Sequence, residues 1–178
     1  MLPLVVDYIN LLLAALLAGA MFCVWLVFNP SQLDASRYII LQQQGIRTLH
    51  PVMPQLGGLT IVITVVSAVL ARENKLRMSL LIGTAVLFII SGLITRFRNM
   101  PINAIVREWN SAAPPEHWTT LRDEWWQWHR LRVWCALAGF GLLAIAMLAR
   151  KPSSLLDSEI AIFRPLVDAL VWAVCLLL

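Results

Sequence analysis

Four runs of about twenty mostly apolar residues leave this chain few ways to fold. A run of that length must satisfy its backbone polar groups without water, and a helix does so within a single segment. The first run extends from about Tyr8 to Phe28 and stops at Asn29-Pro30, a pair that disfavours further helix. The second covers about Pro54 to Ala71, with Gly57-Gly58 near its start, where helices can approach closely. A tight basic turn, Arg72-Glu73-Asn74-Lys75-Leu76-Arg77, leads into the third run, from about Met78 to Thr95. The fourth runs from about Leu131 to Ala149 and ends at Arg150-Lys151-Pro152.

Composition agrees. Hydrophobic residues make up 60% and charged residues 13% of the 178, against about 45–50% and about 25% in soluble domains. The expected fold is an all-α integral membrane four-helix bundle over residues 1–152, running up and down. Residues 153–178 are hydrophobic but interrupted by Arg164, Pro165 and Asp168, so an additional C-terminal helix, half-inserted or lying on the surface, is expected there. A fifth span is the alternative. Ala18-Gly19-Ala20 resembles a signal cleavage site, yet no basic residue precedes the run and Met21 to Phe28 continues it, which favours an uncut first span. The lysines, Lys75 and Lys151, fall on the side of the N-terminus in a four-span chain. The positive-inside rule then places both termini in the cytoplasm, and the expected location is a bacterial inner (plasma) membrane. Cys23, Cys135 and Cys175 all lie in apolar runs at spacings that fit no thiolate metal site, and read as small buried side chains.

Against this background one stretch stands out. Between Arg96 and Arg132 the chain gathers six arginines, five of its eight tryptophans and two of its three histidines. Ionisable groups beside a bilayer are costly and tend to mark a site or a pathway. On a helix leading into the fourth span, Arg122, Trp125 and His129 fall within about 60° of one another, with Arg132 close to Trp125. Arginine offers a planar fork of donors with a permanent charge, and histidine can exchange a proton near neutrality. Together they suit stabilisation of an enolate or phenolate with proton transfer nearby. The plainer alternative is an interfacial anchor of snorkelling arginines and belt tryptophans, a role that suits Trp25, Trp134 and Trp172.

The other half of the constellation is Arg96-Phe97-Arg98-Asn99-Met100-Pro101-Ile102-Asn103. Pro101 lacks a backbone donor and disfavours helix at Met100, so the third span is expected to break or turn here. Asn99 and Asn103 would then cap the broken helix, point their amides into a cavity, or both. The segment from Ser31 to Pro54, with Gln42-Gln43-Gln44, Arg47 and His50, reads as a polar loop on the same side of the membrane; Arg47 and His50 could close over that cavity.

Asn99-x-Pro101-x-Asn103, followed by Trp109 and by Arg122-x-x-Trp125-x-x-x-His129-x-x-Arg132, resembles the anthrone oxygenase-like family of small four-helix membrane proteins. The likeness extends to Gly19-x-x-Phe22 and to Arg47 and Pro54, covering roughly residues 5 to 150. The resemblance implies kinship with enzymes that oxidise anthrones, reduced tricyclic phenols, to anthraquinones with dioxygen. It does not fix the substrate, since many relatives lie outside polyketide pathways.

The expected function is therefore oxidation of an aromatic or quinone-like lipophilic molecule delivered by the bilayer. His129 would move a proton, and Arg122, Arg132, Asn99 and Asn103 would steady the oxyanion. Trp109, Trp125, Arg96, Arg47 and His50 would hold the substrate. No cofactor is expected. Haem or a metal held through His129 or His50 is the alternative, although His50, His117 and His129 share no ligand spacing on one helix. The rival functions are a binding or transport module for a lipophilic or anionic molecule, and an accessory subunit docking through its tryptophan-rich loop. Gly83, Gly92, Gly139 and Gly141 permit close helix contacts within one chain, in a homo-oligomer or with another membrane protein. Glycine-rich phosphate loops, nucleophile elbows and Cys-x-x-Cys pairs are absent from the sequence. A net charge of +4 without a lysine-rich run gives no reason to expect nucleic acid as a partner.

Overall fold

Pro3 opens helix α1, Leu2–Val27, where its missing N–H costs nothing. The helix ends as Phe28 turns extended ahead of Asn29-Pro30. The other long helices are α3, Met53–Leu70, α4, Lys75–Ile94, and α6, Trp118–Leu148. The computed structural model describes residues 1–150, all of them helix, turn or coil; the helix expected over residues 153–178 lies outside the described residues. Four helical stretches are long and apolar enough to cross a membrane. Only 22–28% of the most apolar window of each is buried within the protein, so most of their apolar side chains face outward, as a lipid solvent requires. The protein is an integral membrane bundle.

The spans form a closed ring, in which α1 and α4 each pack against both α3 and α6. Its core is made of small and aliphatic side chains: Ala14 and Ala18 on α1, Leu81 and Phe88 on α4, Ala136 and Leu143 on α6. Close approach of α4 and α6 depends on Gly139. A Cβ placed there would meet the Phe88 ring at 3.1 Å and Leu87 Cβ at 3.4 Å. Gly57-Gly58 carries no such contact: a Cβ on Gly57 would lie 3.9 Å from Leu17, and one on Gly58 would touch nothing within 4 Å.

Three sequence expectations need correction. Much of the supposed polar loop from Ser31 to Pro54 is a helix, α2, Ala35–Leu49. Asp34 caps it by accepting from Arg37 N–H at 2.9 Å, and Tyr38, Ile39, Gln42 and Ile46 form its buried face at helical spacing. The third span does not break at Pro101. It passes through a π-helical turn, Thr95–Asn99, into α5, Met100–Arg107. Pro101 needs room in the turn before it, and the wider π turn, closed by Met100 N–H on Thr95 O, supplies that room. Finally, the basic turn ends before Arg77. That residue is buried in the first turn of α4 and paired with Asp7 of α1.

Candidate functional site

The π turn decides which side chains share a face. In an unbroken α-helix Thr95 and Asn103 would lie about 80° apart; one extra residue in the turn brings them within about 20°. Both line a cavity of about 500 Å³ at the end of the bundle where α1 finishes and α3 begins. Its apolar walls come from α1, including Met21, Val24 and Phe28, and from α2, including Leu41, Ile46 and Leu49. From α6 come Trp125 and Arg132.

Arg132 is the hub. Its Nε and Nη2 lie 3.1 and 2.8 Å from His129 Nδ1, and Nη1 donates to Thr95 Oγ1 at 2.9 Å. Thr95 in turn donates to Ser91 O at 2.9 Å, and the Ser91 hydroxyl donates to the Arg132 carbonyl at 3.1 Å. Because a guanidinium only donates, His129 Nδ1 must accept, which places the imidazole proton on Nε2. That nitrogen is buried without a hydrogen-bond partner among the described residues. The ring stacks on Trp125 at 4.9 Å between centroids and 4° between planes. Phe28 meets the Trp125 indole edge-on at 5.9 Å. No carboxylate lies within 4.0 Å of Arg132 among the described residues, and none lines the cavity.

The residues singled out from sequence therefore divide. Arg132, Asn103, Trp125 and His50 line the cavity. His129 is fully buried and does not line the cavity itself; it lies behind Arg132 and Trp125, which do. Asn99 is also fully buried; it spans the two halves of the motif by donating from Nδ2 to Trp125 O at 3.0 Å. Arg122 does not join Arg132. Its Nε donates to Asp123 at 2.7 Å and its guanidinium lies 4.8 Å over the Trp118 ring. Arg96 extends over Phe97 at the exposed surface, and Arg47 is exposed in the last turn of α2. Trp109 packs with Ile102, Val106 and Trp125 rather than against the cavity. Among the described residues no three His, Cys, Asp or Glu side chains converge where a metal ion could be held.

Several contributors escaped sequence reasoning. Gln42 donates from Nε2 to Asn103 Oδ1 at 3.1 Å and lines the cavity. Gln43 Nε2 reaches the carbonyls of Val106, Arg107 and Trp109 at 2.8–3.2 Å, closing the C-terminal end of α5. Tyr38 is fully buried beside Phe28 and Trp118, its hydroxyl without a partner. Burial pushes that hydroxyl above the usual phenol range; Arg122 offsets part of the effect and Asp123 adds to it. Recognising α2 as amphipathic was the missing signal, because it would have put Tyr38 and Gln42 on the buried side.

These observations define a class: a membrane four-helix bundle with an apolar cavity lined by a half-buried arginine that a buried histidine backs. The family described as anthrone oxygenase matches residues 46–142, more than half of the chain, and the protein belongs to that family. The match takes in Asn99, Asn103, Trp125, His129 and Arg132, whereas α1 and Gln42 precede it. No curated protein and no solved structure matches the chain.

Proposed function

We propose that the cavity receives a lipophilic phenol or anthrone-type molecule from the bilayer and that Arg132 holds its oxygen as an anion while dioxygen oxidises the ring. One observation carries this most directly: a guanidinium with no carboxylate partner among the described residues lines a cavity whose walls are mostly apolar. A cation so placed is costly to bury unless an anion completes it. The volume, about 500 Å³, lies within the range of about 300–1,000 Å³ typical of small-molecule sites. Membership of the anthrone oxygenase family supports this reaction type.

In this proposal the substrate's ring methylene loses a proton and the electron pair moves onto the ring oxygen, giving an enolate beside Arg132. His50 is the imidazole that lines the cavity, and its exposed ring can take the proton and release it to water. The electron-rich carbon then reacts with dioxygen. Overall the methylene becomes a carbonyl: one oxygen atom stays on carbon, and the other leaves as water with the two hydrogens. The fixed guanidinium lowers the cost of the enolate, a contribution of about 2–4 kcal/mol for a donor of this kind. Arg132→Met in purified protein is expected to slow anthrone oxidation by about a hundredfold or more. Turnover equal to wild type would overturn the proposal.

A binding or carrier function is favoured by one specific feature: His129, the imidazole of the motif, does not line the cavity. Incubating the protein with anthrone in air, then extracting and weighing the bound molecule by mass spectrometry, separates the two. An oxygenated product formed faster than in protein-free detergent supports the enzyme; unchanged anthrone supports the carrier.

A further inference from the structure

We propose that Gln42 and Asn103 form a second recognition pole in the same cavity, a paired-amide edge that selects ligands carrying a neutral hydroxyl or keto oxygen far from the anionic one. This deepens the proposed function, since it takes Arg132 as the first pole. Gln42 comes from α2 and Asn103 from α5, and one hydrogen bond joins them, Nε2 to Oδ1 at 3.1 Å. Gln42 is only 4% exposed, yet both side chains line the cavity. Among the described residues Gln42 Oε1 and Asn103 Nδ2 have no hydrogen-bond partner, and neither is among the sealed, partnerless atoms such as Asn99 Oδ1. They therefore remain accessible, on side chains that line the cavity.

The pairing chemistry is indifferent to how the amides are turned. If both were flipped, the bond between them would reverse, and the pair would still present one C=O and one NH2. Such an edge accepts from a hydroxyl and donates to a carbonyl or hydroxyl oxygen. It carries no charge, so it gives no advantage to a second anion. A buried amide with open valences also penalises an apolar group placed against it, because its polar atoms would stay unpaired.

The spacing limits the ligand further. Arg132 is bonded to Thr95, and Asn103 lies eight residues beyond Thr95 on the same face, which at 1.5 Å per residue is roughly 10–12 Å. Arg132 and the amide pair thus stand apart, and a ligand that meets both must carry two well-separated oxygens.

Two air-stable probes test the second pole, 2-hydroxyanthraquinone and 2,6-dihydroxyanthraquinone, titrated calorimetrically into the full chain in nanodiscs with empty nanodiscs as blank. Wild type is expected to prefer the dihydroxy probe by about tenfold, the size of one or two hydrogen bonds in an enclosed site. Gln42→Met and Asn103→Leu, made separately, should each bring that ratio below about threefold. A wild-type ratio near one, or a tenfold ratio that survives both substitutions, overturns the proposal. Should one variant fail to fold, the other and the wild-type pair of probes still decide. Arg132→Met reports separately: it should weaken both probes alike. If it weakens neither, the anionic pole is wrong, while the ratio between probes still tests the amide pole.

Discussion

His129 and Arg132 are three residues apart on one face of α6, and the hydrogen bonds between them fix a division of labour. With Nδ1 accepting from the guanidinium and its ring stacked on Trp125, the imidazole aims Arg132 and does not itself reach the cavity. In the proposed reaction its part is then positioning. Two substitutions separate this from proton transfer. His129→Asn can keep an acceptor near the Nδ1 position, whereas His129→Leu keeps bulk and removes the acceptor. If His129 positions Arg132, the Asn variant should stay within about threefold of wild-type anthrone turnover and the Leu variant should lose about tenfold or more, as expected for one charge-assisted hydrogen bond. Equal loss in both variants would return His129 to the part of proton carrier. The sequence brought His129 and Arg132 together correctly, because i,i+3 spacing is a local property. It also grouped Arg122 with them, but Trp118 and Asp123 are nearer neighbours and hold that side chain away.

At the scale of elements, the spans were legible because length and apolarity alone define them, and the four expected runs coincide closely with α1, α3, α4 and the membrane half of α6. What stayed hidden depended on partners. Helix α2 is mixed in composition, and its apolar positions form a face only when read at helical spacing against Phe28, Trp118 and α5. Pro101 signalled a break from sequence, whereas packing against α2 and α6 supports a π turn that keeps the helix continuous. Two glycines of α6 show how little composition says about packing. A Cβ at Gly139 would press on Phe88, which is 2% exposed and cannot yield, whereas a Cβ at Gly141 would touch nothing within 4 Å. Replacing glycine by alanine favours a helix by about 1 kcal/mol where space allows; overpacking a core costs about 1–3 kcal/mol. Gly141→Ala should therefore raise the thermal unfolding midpoint in detergent and Gly139→Ala should lower it or leave it no higher. A rise in both would mean that α4 and α6 are less tightly apposed than the structure indicates.

Across the whole molecule the polar groups separate into two ends with different tasks. At one end Arg132 has no carboxylate partner among the described residues and faces a cavity. At the other, Arg77 is paired with Asp7, and one turn deeper Asn10 accepts from Thr64 at 2.8 Å and lies 3.4 Å from Ser67. These contacts tie α1 to α3 and α4, and a cation already matched by an anion has no electrostatic need of a ligand. The Asp7–Arg77 pair should thus serve assembly alone. Removing one partner strands a buried charge, at a cost of about 3–5 kcal/mol, while replacing both by apolar groups of similar volume is often close to neutral. Asp7→Leu and Arg77→Met are each expected to destabilise the protein by about 3 kcal/mol or more in denaturant titrations, and the double variant to recover at least about half of that loss. The double variant should also retain wild-type affinity for 2,6-dihydroxyanthraquinone, because its substitutions lie at the opposite end of the bundle from Arg132 and Gln42. Loss of probe binding in a double variant that is stably folded would show that the two ends are coupled, and that the ion pair takes part in the function of the cavity.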